Sequence, residues 1–493
     1  MSDLDPITLQ VMLGSLRAAC DEMGAVLVRS AHSANIKERR DASTALFDPD
    51  GQMVMQAEHI PVHLGAMPAA VAAVLGEEQR PGESWILNDP YAGGTHLPDI
   101  TVITPLFHAG EAAGFAASRA HHADVGAAEP GSMPAFSRTL EDEGVVIPPT
   151  RLTDDVLRDL AGRMRNPAQR EADLRAQLAA GRAGGERVAA LIERFGIGTF
   201  RAGLEETLDY AERRTRTRIA ELEDGTYEAP DVLEAADSDL ELRLRATVSG
   251  EELTLDFSGS APQHEGNLNC PLAVTLSACY FALRVLTDPD VPPCAGAYRP
   301  LTVTAPEGSL LNARPPAAVA AGNVETSSRV ADLVLVAFGH ALGQGTMNNV
   351  TLGNSAFTYY ETLGGGQGAC PDAEGPSAVH VAMSNTLNTP IEALELEFPL
   401  RAVEYALRRG SGGSGRRRGG DGVVRELEAL DEMRFSLITE RRRHAPPGAD
   451  GGEPGAPGRN LLNGDELPPK ASGTLSPGDR LRIETPGGGG FGR

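Results

Sequence analysis

The sequence predicts an α+β fold with mixed sheets, helical insertions and a β-rich, glycine-rich C-terminal region. Three observations carry that prediction. Apolar residues alternate at Leu240, Leu242, Leu244, Ala246 and Val248, and again at Leu253, Leu255 and Phe257, which marks half-buried strands. A stretch over roughly 151–223 is rich in Arg, Glu, Ala and Leu, residues that favour helix. Glycine and proline (56 and 35 residues) are abundant but not periodic, which excludes collagen and implies many tight turns.

A chain of 493 residues has room for roughly two to four domains. Residues 1–150 read as an N-terminal α+β region. Its first helix covers 6–32, where Asp5 can cap it, Pro6 suits the first turn, and Ile7, Val11 and Leu16 recur at helical spacing. Apolar pieces from Ala45 to Gln56 flank Asp48-Pro49-Asp50-Gly51, a hairpin signal. A second helix is expected from His63 to Leu75, then strands in WILND, ITVITPLF and AAGFAAS. The helical segment 151–225 follows, with Gly196 as a stop inside it. A central α+β region, 226–394, adds an apolar helix at 272–286 and another at 329–342. The β-rich remainder is 395–493. Within it SGGSGRRRGGDG, 411–422, reads first as a flexible surface turn and second as an anion-binding loop.

Composition narrows the function. A formal net charge of −24 opposes binding to nucleic-acid backbones or anionic membranes. The longest apolar stretch, Leu272 to Leu286, contains Arg284 and is too short to span a bilayer. MSDLDPITLQ lacks the basic and apolar regions of a signal peptide, so a cytoplasmic location is expected. Five scattered cysteines without CxxC indicate neither a zinc ribbon nor a disulfide framework. Cys294 is the best placed as a lone nucleophile, but a free cysteine is more often a small buried hydrophobe. The lysines are only Lys37 and Lys470, and neither completes a Walker A loop, so any nucleotide chemistry is expected on another polypeptide. GxSxG is also absent, leaving an elbow-type serine unsupported.

Seven of the eleven histidines fall within the first 122 residues, and NDPYAGGTHLPD (88–99) and SRAHHADVG (118–126) concentrate the useful chemistry. If the strands around His108-Ala109-Gly110-Glu111 pair as a hairpin, Asp99 faces Ala120 and His121 faces Pro98. Cross-strand neighbours have Cβ atoms ~5 Å apart. Two imidazoles and a carboxylate then meet at one end of the hairpin, which suits a divalent metal with positions left open. A one-residue slip exchanges the faces, so this argument leaves the ligand set open. The plain alternative is a set of buried, hydrogen-bonded histidines. His59 and His63 in AEHIPVHLGAMP form a separate pair that Pro61 keeps off a continuous helix. They are expected to line the pocket, near Glu58, rather than to do the chemistry.

Several segments have a familiar look: NIKERRDASTALFDPDGQMVMQAEHIPVHLGAMP, NDPYAGGTHLPDITVITPLF, SRAHHADVG, DFSGSAPQHEGNLNCP, AGNVETSSRVAD, QGTMNN, YYETLGGGQGA, NTLNTPIE, SGGSGRRRGGDGVVRE and TPGGGGFG. Together, and in this order, they resemble the hydantoinase B/oxoprolinase family nearly end to end. The resemblance is specific for the family and much less so for the substrate. It implies the B subunit of an ATP-dependent hydrolase of cyclic amides such as hydantoins or 5-oxoproline. A partner A-type subunit, carrying ATP and Mg, would phosphorylate the substrate, and this chain would complete a metal-assisted hydrolysis within a hetero-oligomer. The resemblance also implies a divalent metal, Mn or Zn, on His96, Asp99 and His121, with His122 and Asp124 as second choices. A neighbouring carboxylate, Asp124 or Asp41, would take the proton. The alternatives it leaves are a subunit of an ATP-dependent ketone carboxylase (acetone or acetophenone type) and a non-catalytic assembly subunit. Cys294 departs from the Asn-type residue usual at that place, so no role is carried over to it.

Overall fold

The computed structural model of the chain describes residues 4–58, 60–236 and 238–493. Its first helix, Pro6–Ser30, begins where the Asp5 carboxylate accepts from the Ile7 and Thr8 N–H groups, with Pro6 in the first turn. Six strands follow: β1 (Ala42–Phe47), β2 (Met53–Glu58), β3 (Trp85–Leu87), β4 (Asp99–His108), β5 (Glu111–His121) and β6 (Thr150–Arg151). They form one sheet in the order β2-β1-β5-β4-β3-β6, so β5 and β4 lie at its centre. The helix expected from His63 is split into a 3₁₀ turn, Pro61–His63, and an α-helix, Ala66–Leu75.

The expected helical segment resolves into Asp154–Gly162, Pro167–Phe195 and Ile197–Ile219. Gly196, with φ +79°, makes the break between the last two. The 167–195 helix packs on β4, β5 and the first helix. A second sheet joins β7 (Gly225–Glu234), β8 (Asp239–Ser249), β9 (Glu252–Asp256) and β10 (Leu301–Thr304) in the order β10-β9-β8-β7. Leu242, Leu244, Ala246 and Val248 are buried while Glu241, Arg243 and Arg245 are exposed, as the alternation predicts. The helices Leu272–Leu286 and Ser327–Ala337 pack together. The second is entered through a π-helical turn, Gly322–Thr326, that the sequence did not announce.

The remaining strands are β11 (Asn349–Gly353), β12 (Thr358–Glu361), β13 (Leu400–Arg408), β14 (Gly422–Ala429), β15 (Met433–Ile438), β16 (Arg459–Leu462), β17 (Asp465–Leu467), β18 (Lys470–Leu475) and β19 (Arg480–Glu484). They make two sheets, β12-β11-β15-β18 and β13-β14-β19-β16-β17. Strand pairing therefore crosses position 394/395, where composition suggested a boundary. One hydrophobic core likewise draws on 1–150, 151–225 and 226–394 together, from Met12 through Leu204 to Val334. The 411–422 run is not a loose turn. Gly419 and Gly420 are buried, and Gly420 N–H donates to Gln367 O while Gly488 N–H donates to Gly420 O. Among the described residues, no helix is long and apolar enough to cross a membrane.

Candidate metal centre

The centre is built at the end of the two middle strands of the first sheet. At the β4–β5 turn His108 pairs with Glu111 and Phe107 with Ala112; the register then shifts by one, so that Leu106 faces Gly114. Asp99 consequently faces His121 directly, not Ala120 as the unbroken hairpin predicts. Gly114 permits the shift: its φ is +135°, and a Cβ there would meet Phe47 O at 2.0 Å. A single bulge thus turns a near miss into a facing pair.

The loop before β4 brings in the second imidazole. Asn88 braces it, donating to Leu97 O and Val145 O and accepting from Ile147 N–H. The Asp99 N–H closes a turn on His96 O at 3.1 Å. His96 Nε2 then lies 3.2 Å from His121 Nδ1 and 3.3 Å from Asp99 Oδ2, and His121 Nδ1 lies 3.3 Å from Asp99 Oδ1. All three residues are buried. Ligands ~2.0–2.2 Å from one ion stand about 3.0–3.5 Å apart in octahedral or tetrahedral geometry. Donor chemistry and spacing both fit a divalent metal. Among the described residues, His96, Asp99 and His121 are the group whose donor atoms converge in this way, within 4.8 Å of one another.

The surroundings tune these groups. Burial pushes the Asp99 carboxyl up, but the imidazoles of His96 and His63 and hydrogen bonds from His121 and His63 outweigh it and hold the group well below the usual carboxylate range. Burial lowers the His121 imidazole, with Asp99 and Asp41 opposing. The Tyr360 ring stacks on His121 at 4.5 Å, and the Arg39 guanidinium sits 4.7 Å from the Tyr360 centroid. Arg39 also donates to Tyr360 O and Thr362 Oγ1, which ties β12 to this end of the first sheet. Asp41 immediately precedes β1, and its carbonyl accepts the His121 N–H at 3.0 Å.

Residues 5–493 match the hydantoinase B/oxoprolinase family. The chain belongs to that family. The 5-oxoprolinase of Dictyostelium discoideum is 39% identical over 513 residues, which cover 100% of this chain and 41% of that protein. The chain therefore spans well under half the length of this relative. The crystal structure of ATP-dependent caprolactamase from Pseudomonas jessenii superposes with a TM-score of 0.92 at 29% identity, covering 100% of this chain and 92% of that one. The nucleotide-free acetone carboxylase structure gives a TM-score of 0.86 over 99% of this chain and 76% of that one. At 19% identity this second likeness is one of fold.

In this hydantoinase B-type chain the other sequence candidates fall into place separately. His122 turns toward the 167–195 helix, where Nε2 lies 3.0 Å from Gln177 Oε1; burial pushes its imidazole down to about 4. It stands apart from the cluster. Asp124 braces a loop: Oδ1 accepts from Gly126 N–H, and Oδ2 from Gly131 N–H and Arg165 Nη1, each at 2.7 Å. Both of its oxygens are so engaged; the Asp41 carboxylate, the other candidate, lies near enough to raise His121 and has Arg39 Nη2 3.8 Å from its Oδ2. Cys294 is buried and its thiol is pushed up to about 11, which leaves it a packing residue. His59 lies outside the described residues. Its neighbour His63 does reach the site, with Nε2 3.3 Å from Asp99 Oδ2. The sequence reading paired His63 with His59 by spacing and missed this partner, because the contact joins segments 36 residues apart. Thr95, in the same loop as His96, was also missed; its hydroxyl donates to Asp99 Oδ2 at 2.5 Å.

Proposed function

We propose that this chain is the B-type component of an ATP-dependent cyclic-amide hydrolase of the hydantoinase or 5-oxoprolinase kind. An unactivated lactam resists water because nitrogen donates into the carbonyl. Phosphorylation of the amide oxygen on an A-type partner, which carries ATP and Mg, removes that resonance, and hydrolysis is completed here. The partial coverage of 5-oxoprolinase supports the division of labour, since most of that protein lies outside the part this chain matches. So does the lack of a Walker A lysine in the sequence.

The observation that carries the proposal is the convergence of His96, Asp99 and His121 in a buried cluster with metal-ligand spacing. These three would hold a divalent ion, Mn or Zn, which when bound supplies Lewis acidity and activates water at neutral pH. The Tyr360 ring and Arg39 hold the His121 imidazole in orientation. Asp41, anchored through its carbonyl to the His121 N–H, accepts the proton that water loses. Burial of the whole cluster excludes bulk water from the activated substrate.

The test is ATP turnover by the chain co-purified with an A-type subunit, measured against hydantoins, 5-oxoproline, larger lactams and, separately, ketones with bicarbonate. Turnover that depends on a cyclic amide and yields the opened amino acid is the expected result. ATP use driven by ketones alone would make the chain a carboxylase component.

A further inference from the structure

Asp99 is surrounded by more donors than the metal reading uses, and their chemistry fixes a direction. Its Oδ2 accepts from Thr95 Oγ1 at 2.5 Å and lies 3.3 Å from His63 Nε2. His63 is itself fully buried, and its other ring nitrogen, Nδ1, lies 2.9 Å from Ser43 Oγ. A carboxylate only accepts, so the proton of a neutral His63 sits on Nε2 and points at Asp99. Nδ1 must then accept, and the Ser43 hydroxyl donates to it. The order is Ser43 to His63 to Asp99.

His63 stands outside the group of three whose donor atoms converge within 4.8 Å, although it touches the carboxylate. Its position is set from two sides. The 3₁₀ turn Pro61–His63 starts with proline at its first position, and Ser43 lies on β1, whose neighbour Ala42 pairs with Ala120 just before His121. Thr95 and His63 engage Oδ2, which His96 Nε2 also approaches at 3.3 Å, while Oδ1 faces His121 Nδ1 at 3.3 Å, so the carboxylate is held from outside the cluster on its Oδ2 side.

We infer that His63, oriented by Ser43, is a positioning residue that locks the orientation of the Asp99 carboxylate for metal binding. This rests on the metal reading above. Outer partners of metal ligands act this way by fixing ligand orientation, and losing one costs ~10–100-fold in metal affinity.

The experiment is a chelator-competition titration of Co(II) and Mn(II) into the full chain, with no substrate present. His63→Ala should weaken binding by ~10–100-fold while still taking up one ion at saturation. His63→Gln, which keeps an N–H toward Asp99, should recover most of the affinity. Ser43→Ala leaves Asp99 and His63 in place and should weaken binding in the same direction by a smaller factor. Unchanged affinity in His63→Ala overturns the inference, as does His63→Gln failing as badly as alanine. Loss of the ion even at saturation would make His63 a ligand instead. Should His63→Ala not fold, Ser43→Ala decides, and wild-type affinity there overturns the inference. A parent chain that binds no ion removes the metal reading and this inference together, whereas failure of the hydrolase assay alone leaves the titration result standing.

Discussion

The end of β4 and β5 and the glycine-rich layer near the C-terminus are built on opposite principles. At the strand ends, the backbone exists to aim side chains: a bulge at Gly114 brings Asp99 opposite His121, and a braced loop delivers His96. In the layer the side chains have been removed so that backbones can touch. A Cβ on Gly366 would meet Gly420 O at 2.0 Å, one on Gly419 would meet Gly488 O at 2.0 Å, and one on Gly420 would meet Pro376 O at 1.9 Å. The N–H groups of Gly413, Gly420 and Gly488 are spent on carbonyls of the facing segments. Chemistry and fold are thus separable in this molecule: removing a side chain should harm the first region's activity, and adding one should harm the second region's stability.

The largest expected effect is on turnover. His96→Ala removes one of three candidate metal donors from a loop whose turn is held by Asn88 and by the backbone of Asp99. Bound metal and the proposed hydrolase activity should both be lost, while the chain still folds, with a stability loss of about 1–3 kcal/mol in urea because a buried partner of Asp99 is removed. Elemental analysis of the folded variant gives the direct check. Stoichiometric metal in it would mean that the cluster is structural, and the comparison would collapse.

The counterpart is Gly420→Ala. Its Cβ would press on the backbone carbonyl of Pro376, which cannot rotate away as a side chain could. Overpacking against well-packed atoms costs about 1–3 kcal/mol, and backbone contacts this close belong at or above the top of that range. Urea unfolding should show this loss, while the folded fraction binds metal as the parent does. An unaltered midpoint would show that the layer is slack.

These two regions also differ in how much of each could be read in the sequence. A His/Asp cluster at one end of the hairpin was legible because histidines concentrate in two segments that flank it. The set His96, Asp99 and His121 came from the family resemblance, since the pattern alone left the ligands open. The direct Asp99–His121 pairing was not legible, because a bulge has no periodic signal and depends on Phe47 lying against Gly114. The Tyr360 stack and the His63 contact join distant segments, and local pattern carries no trace of either. Of the second sheet, β8 and β9 were read well, since alternation follows burial residue by residue, whereas β7 and β10 were not read. The 411–422 run was read as a flexible surface turn; residues 414–418 are exposed, but its flanking glycines are packed into the layer. Their packing was missed for a plain reason. Glycine signals freedom when alone and close approach when its neighbours are other backbones, and only tertiary structure distinguishes the two.

A smaller effect is expected from Glu325, which lies between the regions. It accepts from Thr346 Oγ1 and Met347 N–H, two and three residues beyond the Gln344 that donates to Gly366 O. Burial first, and the Glu440 charge second, push its carboxyl up to about 8. The folded chain therefore keeps a proton that an unfolded glutamate releases near 4.5. The stability from this group is complete below that pH and is lost as pH rises through about 8. Glu325→Gln should remove the dependence, so the variant gains on the parent as pH increases, by at most about 1.4 kcal/mol per pH unit. Urea midpoints of both proteins between pH 5.5 and 8.5 test the sign. A constant gap would show that Glu325 is ionised in the folded state throughout.

The smallest effect reverses the sign of the glycine result. Gly14 sits inside the Pro6–Ser30 helix, exposed, with nothing within 4 Å of a Cβ built on it. Alanine there meets no backbone, loses less conformational freedom on folding, and is the better helix former by roughly 0.5–1 kcal/mol. Gly14→Ala should therefore stabilise the chain by up to that amount, whereas the same chemical change at Gly420 destabilises it. The difference between the two comes only from what faces the added methyl group: open solvent in one case and a carbonyl at 1.9 Å in the other. Measuring both variants in one set of urea titrations compares the two glycines directly. If both shift the midpoint the same way, backbone packing is not what demands glycine at position 420.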